Sequence, residues 1–450
     1  MDDNKVEISM QEDVKHDPGH SDFDKPVPFR YSSEEKRLVK KMTWLLLPLV
    51  WCIILIQFVD KSILSVAAVT GLFEDTHINK AQYSWSSSIV YLGVLVYQMD
   101  SFAQLMTVRF LLGLLEAGCS PIIYIILNNL YRRSEQSAVF GFILVSSGSG
   151  SAVGAAMGYG IVQTLDHVGG WRAWRWAYLI FGACTVFLGI VVFFFLVDSP
   201  TSKLLRLSDK EQEIVQHRIN DNKVVKTKTV KRAQIWEALK ESRFWLLCLA
   251  TTLNGLQNGG LVSYSILLVH SLGFSQEDAI LLQIPSGVST ALCVFVAVLI
   301  ARRTKQTTYT AILMTIVSIL GLVVLVVNEG VAGKLAGYYL SWAGGSTHAL
   351  IITIVGNNVS GYTKKVTYNC GMIVATTLGN FIGPLIMAPS YMIGLIVFIA
   401  VNILVIMMLL FVRWRMARLN RQRQGNPQSG MTDPHLDYTD REDINFVYRL

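Results

Sequence analysis

The sequence predicts an all-α integral membrane protein. Of its 450 residues, 52% are hydrophobic and only 16% charged, with a mean hydropathy of +0.42; a soluble chain carries about 25% charged residues. Apolar runs recur along the chain, each close to the ~20 helical residues that cross a bilayer. The remaining charge collects in the two tails and one central stretch. The formal net charge of +7 is therefore a bias of membrane loops. No basic run sits on a soluble folded unit, so nucleic acid is not expected as a partner; the lipid bilayer is.

In order along the chain, residues 1–32 form a polar tail, too charged for a signal peptide and expected to be disordered and cytoplasmic. Ser32-Ser-Glu-Glu35 offers a helix start just before the first span. Candidate spans follow at 43–70, 83–99, 101–131, 137–165 and 176–197, giving a first bundle over 33–197. The hydrophilic stretch 198–243 is the central cytoplasmic loop, with a capping-box start at Ser208-Asp-Lys-Glu211. Both starts suit short interfacial helices, or equally a solvated linker. A second bundle over 244–414 holds spans at 244–269, 279–301, 306–328 and 335–363, then a run, 366–412, long enough for two more. Gly383-Pro384 and Pro389 mark the break in that run, and Gln283-Ile-Pro285 is a kink. Residues 415–450 form a second cytoplasmic tail, expected to be disordered from 424. All six cysteines lie in apolar runs without a C-x-x-C pair, so they are packing residues; no metal or cofactor is expected.

Charge sets the orientation. Lys36, Arg37, Lys40 and Lys41 precede the first span, and Arg413, Arg415 and Arg418 follow the last, which puts both termini inside. Arg302-Arg303 and Lys364-Lys365 lie inside and Glu277-Asp278 outside. Trp171, Trp174 and Trp176 with Arg172 and Arg175 suit an interfacial belt at the outer face. Asn358-Val-Ser360 is a glycosylation sequon, discounted because it abuts an inner loop. The first half is harder to arrange. Glu74-Asp75 belongs outside and Arg132-Arg133 inside, so 83–131 crosses an odd number of times, yet it holds two apolar segments joined only by Asp100. Two inner termini require an even total, and eleven segments is odd. One span is lacking.

The motifs FVDKSILSVAAVTGLFEDTHINKAQYSW (58–85), VRFLLGLLEAGCSP (108–121), LYRRSEQ (130–136), GFSQEDAILLQIPSG (273–287), NVSGYTKKVT (358–367), GNFIGP (379–384) and the ending TDREDINFVYRL carry a resemblance. The chain resembles the major facilitator superfamily and, within it, the fungal allantoate permease family of anion:cation symporters, from about residue 33 onward. The resemblance implies a two-bundle fold and a small organic anion as substrate, with a proton as co-substrate. Two departures stand out. After Tyr97-Gln98 the family continues with a loop and a third helix, whereas here Met99-Asp100-Ser101 resembles the start of the fourth. The connection around Met387–Ser390 is also shortened.

Polar residues within spans are candidates for function. Asp60-Lys61 in the first span is a proton-coupling and substrate candidate, or an ion pair kept for packing. Arg109, Gly113 and Glu116, spaced i, i+4, i+7, share a helix face. Given the family's anions, the planar fork of Arg109 suits a carboxylate, and Glu116 suits a coupling proton; an Arg–Glu clamp is the alternative. Gly150, Gly154 and Gly158 form a small-residue stripe for helix packing, with Gly113 in the same role. Asn254, Gln257 and Asn258 line a glycine-interrupted helix and either touch substrate or bond neighbouring helices. His348 is a protonation candidate.

The expectation is thus proton-coupled uptake of a vitamin, ureide or carboxylate by alternating access, in a monomer of the plasma membrane. Export of a metabolite, or a truncated non-transporting or sensing protein, are the alternatives. No nucleotide-binding loop and no nucleophile–base pair stands out, so neither ATP-driven transport nor an enzyme is expected.

Overall fold

The computed structural model describes residues 33–70, 110, 113, 119–131, 133–197, 202–221, 230–424, 437–443 and 446–450. Helix α1 (Ser33–Val69) is continuous over 37 residues. The expected surface start and the first span are therefore one element. At ~1.5 Å per residue it outruns the ~30 Å of hydrocarbon, so its basic first turns project beyond the bilayer. Helices α2 (Cys119–Leu130), α3 (Arg133–Leu165) and α4 (Ala173–Phe195) complete the described part of the first half. At the start of α4 the tryptophan belt is partly inward: Trp174 is buried under Arg175, while Trp171 stacks on Trp176.

Between the halves, α5 (Asp209–Asp221) opens on the expected capping box. The Glu211 N–H donates to Ser208 Oγ at 3.4 Å and the Ser208 N–H to Glu211 Oε2 at 2.9 Å. That backbone bond, with help from Lys41 at 3.6 Å, holds the Glu211 carboxyl below its usual value. Val215 buries itself with Leu38 and Leu205, so α5 is part of the α1 packing. Helix α6 (Arg232–Lys240) packs instead on the second half.

That half contains α7 (Ser242–His270), α8 (Gln276–Leu281), α9 (Gln283–Thr304), α10 (Thr307–Val327), α11 (Val331–Ser341), α12 (Gly344–Asn358), α13 (Tyr362–Met387) and α14 (Tyr391–Gln424). Helices α8 and α9 are one span, bent where Pro285 predicts it. Two tyrosines of α11 secure the bend: Tyr339 Oη donates to the Leu282 carbonyl at 3.1 Å and Tyr338 Oη to Gln283 Oε1 at 2.6 Å. The run 366–412 divides at 388–390, around Pro389; Pro384 stays inside α13. The fourth span is split into α11 and α12 at Trp342-Ala343, which the sequence did not lead us to expect.

Two faces can be told apart. The start of α1, the linker helices and the end of α14 share one, here the tail face; Glu277 and the end of α1 mark the far face. Tyr131 Oη donates to Thr43 Oγ1 at 3.1 Å, placing the end of α2 at the tail face. The chain thus leaves Val69 at the far face and returns at the tail face by Tyr131. Segments 83–99 and 101–118 lie outside the described residues, apart from 110 and 113.

The last helix of each half differs in cover. In α14, which packs on α7, α10 and α13, 39% of the apolar window is buried; in α4, which packs on α1 and α3 among the described residues, 6% is. The tail also departs from expectation. Residues 437–443 and 446–450 are packed against the second half, because their polar groups find buried partners there.

Candidate functional site

The split fourth span organises the polar interior of the second bundle. At the break the Gly345 N–H turns to the Trp342 carbonyl at 3.1 Å, which strips Ser341 O of its regular helical donor. Gln257 Nε2 replaces it at 2.8 Å, and Ser318 Oγ also donates to Ser341 O at 2.8 Å. Gln257 Nε2 reaches Ser318 Oγ as well, at 2.9 Å, and Gln257 Oε1 accepts from Asn402 Nδ2 at 2.5 Å. One turn earlier, Asn254 Nδ2 donates to Gly344 O at 3.2 Å. Both amides are buried and bind four helices around the break. Asn258 is the half-buried member of the trio, pairing with Asn380 Oδ1 of α13 at 2.9 Å. His348 is half-buried one turn into α12, and Asp60 is half-buried on α1. Gly113 is buried. Arg109, Glu116 and the side chain of Lys61 lie outside the described residues.

The halves meet through α1, α3, α7, α8 and α9. Ser65 Oγ of α1 lies 3.0 Å from Val262 O and 2.9 Å from Ser263 O of α7. Gln163 of α3 bonds Glu277 of α8. Deeper in, backbone meets backbone: a Cβ on Gly287 of α9 would stand 2.6 Å from Gly148 O, and one on Gly148 would stand 2.9 Å from Gly287 O. The predicted stripe faces the other way. Gly150 packs on Leu55 and Phe58 of α1, and Gly158 on Val66; Gly154 is buried between them. These contacts run from mid-membrane to the far face. Gly287→Leu is accordingly expected to part the bundles there, and a cysteine at Ser65 should change from protected to readily labelled from that side. Unchanged protection would show that the contact is not a seal.

Six described helices are long and apolar enough to cross a membrane. The sequence pattern of the Major Facilitator Superfamily matches residues 94–367, more than half of the chain. The chain belongs to that superfamily. A major facilitator is a multi-pass membrane transporter, so this chain is a transporter and not an enzyme. Its relatives agree in length and kind. It is 29% identical to the allantoate permease of Saccharomyces cerevisiae, over 93% of this chain and 87% of that one. It is 28% identical to an uncharacterized transporter of Schizosaccharomyces pombe, over 92% and 90%. A bacterial homolog of the human lysosomal transporter Spinster, solved inward-facing and unoccupied, superposes with a TM-score of 0.58 at 14% identity, covering 83% of this chain and 96% of that one. The fold is the major-facilitator fold.

The break at Trp342-Ala343 and the Gly148–Gly287 contact escaped sequence reasoning. Gly344-Gly345 and the Ser-Ser-Gly-Ser-Gly run at 146–150 were the available signals. Each is also what ordinary helix packing produces.

Proposed function

We propose that this transporter carries a small organic anion together with a proton, oriented with its tail face and both termini in the cytoplasm of a plasma membrane. The observation that carries the reading is the closure of the bundles over their far halves, through Ser65, the Gly148–Gly287 contact and Gln163–Glu277. Closure over the far halves suits an alternating-access carrier facing inward. The anion class is supported by the yeast relative, an allantoate permease, allantoate being a carboxylate. Arg109, with its planar donor fork, is the proposed carboxylate partner. Asn258 with Asn380 offers polar contacts nearer the second bundle, and Asp60, Glu116 and His348 are the proposed proton carriers. Lys61 stays a candidate for the anion. Asn254 and Gln257 are proposed to shape the site by fixing the split span, because their amides are already engaged.

The test is uptake of labelled allantoate and related carboxylates into vesicles under an imposed proton gradient. Accumulation abolished by a protonophore is expected. Arg109→Lys should raise the apparent KM or abolish uptake at near-normal protein abundance. Uptake indifferent to the gradient, or equal loss of protein and activity in the variant, counts against the reading.

A second reading concerns rate. An apolar groove of about 480 Å³ between α1 and α4, lined by Cys52, Leu55, Ile56, Ala183, Cys184, Phe187 and Leu188, together with the bare face of α4, supports a first bundle short of one span. Such a bundle is expected to transport poorly.

A further inference from the structure

The ending of the chain is held by a buried charge cluster. Asp440 has no exposed surface; its carboxylate accepts from Arg243 and Lys364, each at 2.7 Å, and from the Tyr448 hydroxyl at 2.8 Å. Lys364, equally buried, also donates to Glu237 at 2.7 Å and Glu241 at 2.5 Å, and Arg243 to Glu241 at 2.9 Å. Arg441 stands 3.2 Å from Glu241. Two asparagines grip the tail backbone by paired bonds. Asn420 exchanges them with Tyr448 and Asn358 with Arg449, at 2.7 to 2.9 Å. Burial opposes ionisation of Glu241 and Asp440, but Arg243 and Lys364 outweigh it and hold both carboxyls below the usual range.

With the tail docked, Lys364, Arg243 and Arg441 face Glu237, Glu241 and Asp440. To this cluster the tail brings one charge of each sign, Asp440 and Arg441. Without it, Lys364 and Arg243 still face Glu237 and Glu241. Undocking therefore strands no buried charge, the outcome that makes breaking a buried ion pair so costly. The asparagine amides that let go lie at the end of the bundle, where water can replace the tail.

What the tail touches gives this a mechanical meaning. Gln234 of α6 donates to the Asp437 carbonyl at 3.2 Å and accepts from the Lys364 N–H at 3.2 Å; Lys231, at the start of α6, pairs with Asp437 at 3.1 Å. The tail thus helps to bind α6 to the second bundle, while α5 is packed on the first. Ten residues, 222–231, join α5 to α6, a reach of at most ~35 Å. Freeing α6 would extend the tether to Glu241, adding about 14 Å of reach if α6 stays helical.

We propose that Asp437–Leu450 is a detachable strap. Docked, it fixes α6 to the second bundle and limits the tether between the bundles to residues 222–231; released, it lets the bundles move farther apart at the tail face. The proposal rests on the two-bundle fold and not on the substrate, so its failure would leave the transport reading intact.

Two full-length-based variants test it. Asp440→Lys sets a further cation against Arg243 and Lys364, and a chain stopped after Leu436 removes the strap. Spin labels on exposed Gln212 of α5 and Ala233 of α6 report their separation by pulsed EPR in the purified protein. A folded, monodisperse variant with a longer and broader distance distribution than the parent is expected. A folded variant with the parent's distribution overturns the proposal, because α6 would then be held without the tail. If neither variant yields folded protein, the tail is a permanent staple and the proposal falls.

Discussion

Inserting a major-facilitator loop and third span after Gln98 should turn a chain with little transport into one with saturable uptake. Gln98 at the tail face would have to reach Ser101 at the far face across about 30 Å of hydrocarbon. Three peptide steps extend to about 11 Å. An odd number of crossings is expected between Val69 and Tyr131, and two full spans cannot supply it. In the second half the final helix α14 leans on α10, the third span of its bundle. The corresponding support for α4 is what we expect the shortened first half to lack. Matches to the two yeast relatives run over 462 and 476 residues, more than the 450 of this chain, so the chain has gaps against both. We expect 83–99 to be the segment that fails to span, being the shorter and beginning at Tyr83-Ser-Trp-Ser-Ser-Ser88. Robust uptake by the unaltered chain, or labelling that puts Arg132 on the side of Glu277, would refute this.

Lys364→Met is expected to destabilise the second bundle by about 3–5 kcal/mol, since it leaves Glu237, Glu241 and Asp440 around a neutral side chain. Its neighbour Lys365 is exposed and donates to Gly356 O, so Lys365→Met should stay within about 0.5 kcal/mol. Thermal melting of the two purified variants decides the matter; equal melting temperatures would mean that the cluster adds no stability. The pH dependence follows from the same carboxyls. Those of Glu241 and Asp440 are depressed in the folded state, so their contribution is present above ordinary carboxylate pKa values and is lost as pH falls through the lower, folded ones. Melting should be flat from about pH 8 to 5 and fall only in stronger acid. A cluster that stays ionised near neutral pH is no candidate for the proposed proton carrier.

Much of the second half was legible because its signals are local. Hydropathy located α7, α10 and α14, Pro285 located a bend, and Ser208 with Glu211 located a helix start. What stayed hidden depends on distance along the chain. Asp440 meets Arg243 across 197 positions, so the acidic and basic residues of the tail look like a solvated terminus until the fold brings them together. Lys364-Lys365 shows the same limit: one is an exposed cation at the start of α13, as its composition suggests, the other is sealed inside an ion cluster. Asn254 and Gln257 looked like cavity residues because a polar helix face has two uses, and only the broken span opposite shows which carbonyls they serve. The site residues of the first half remain expectations resting on residue type.

The Gly148–Gly287 contact has a consequence for how motion is resisted. Side chains that interdigitate behave like gear teeth, and each must change rotamer before two helices can turn past one another. Two bare backbones behave like a plain bearing. Rotation at that point would cross no rotamer barriers, so friction between the halves is low there. In the proposed alternating-access cycle, resistance to motion would then come from side-chain contacts between the halves, such as Ser65 with Val262 and Gln163 with Glu277.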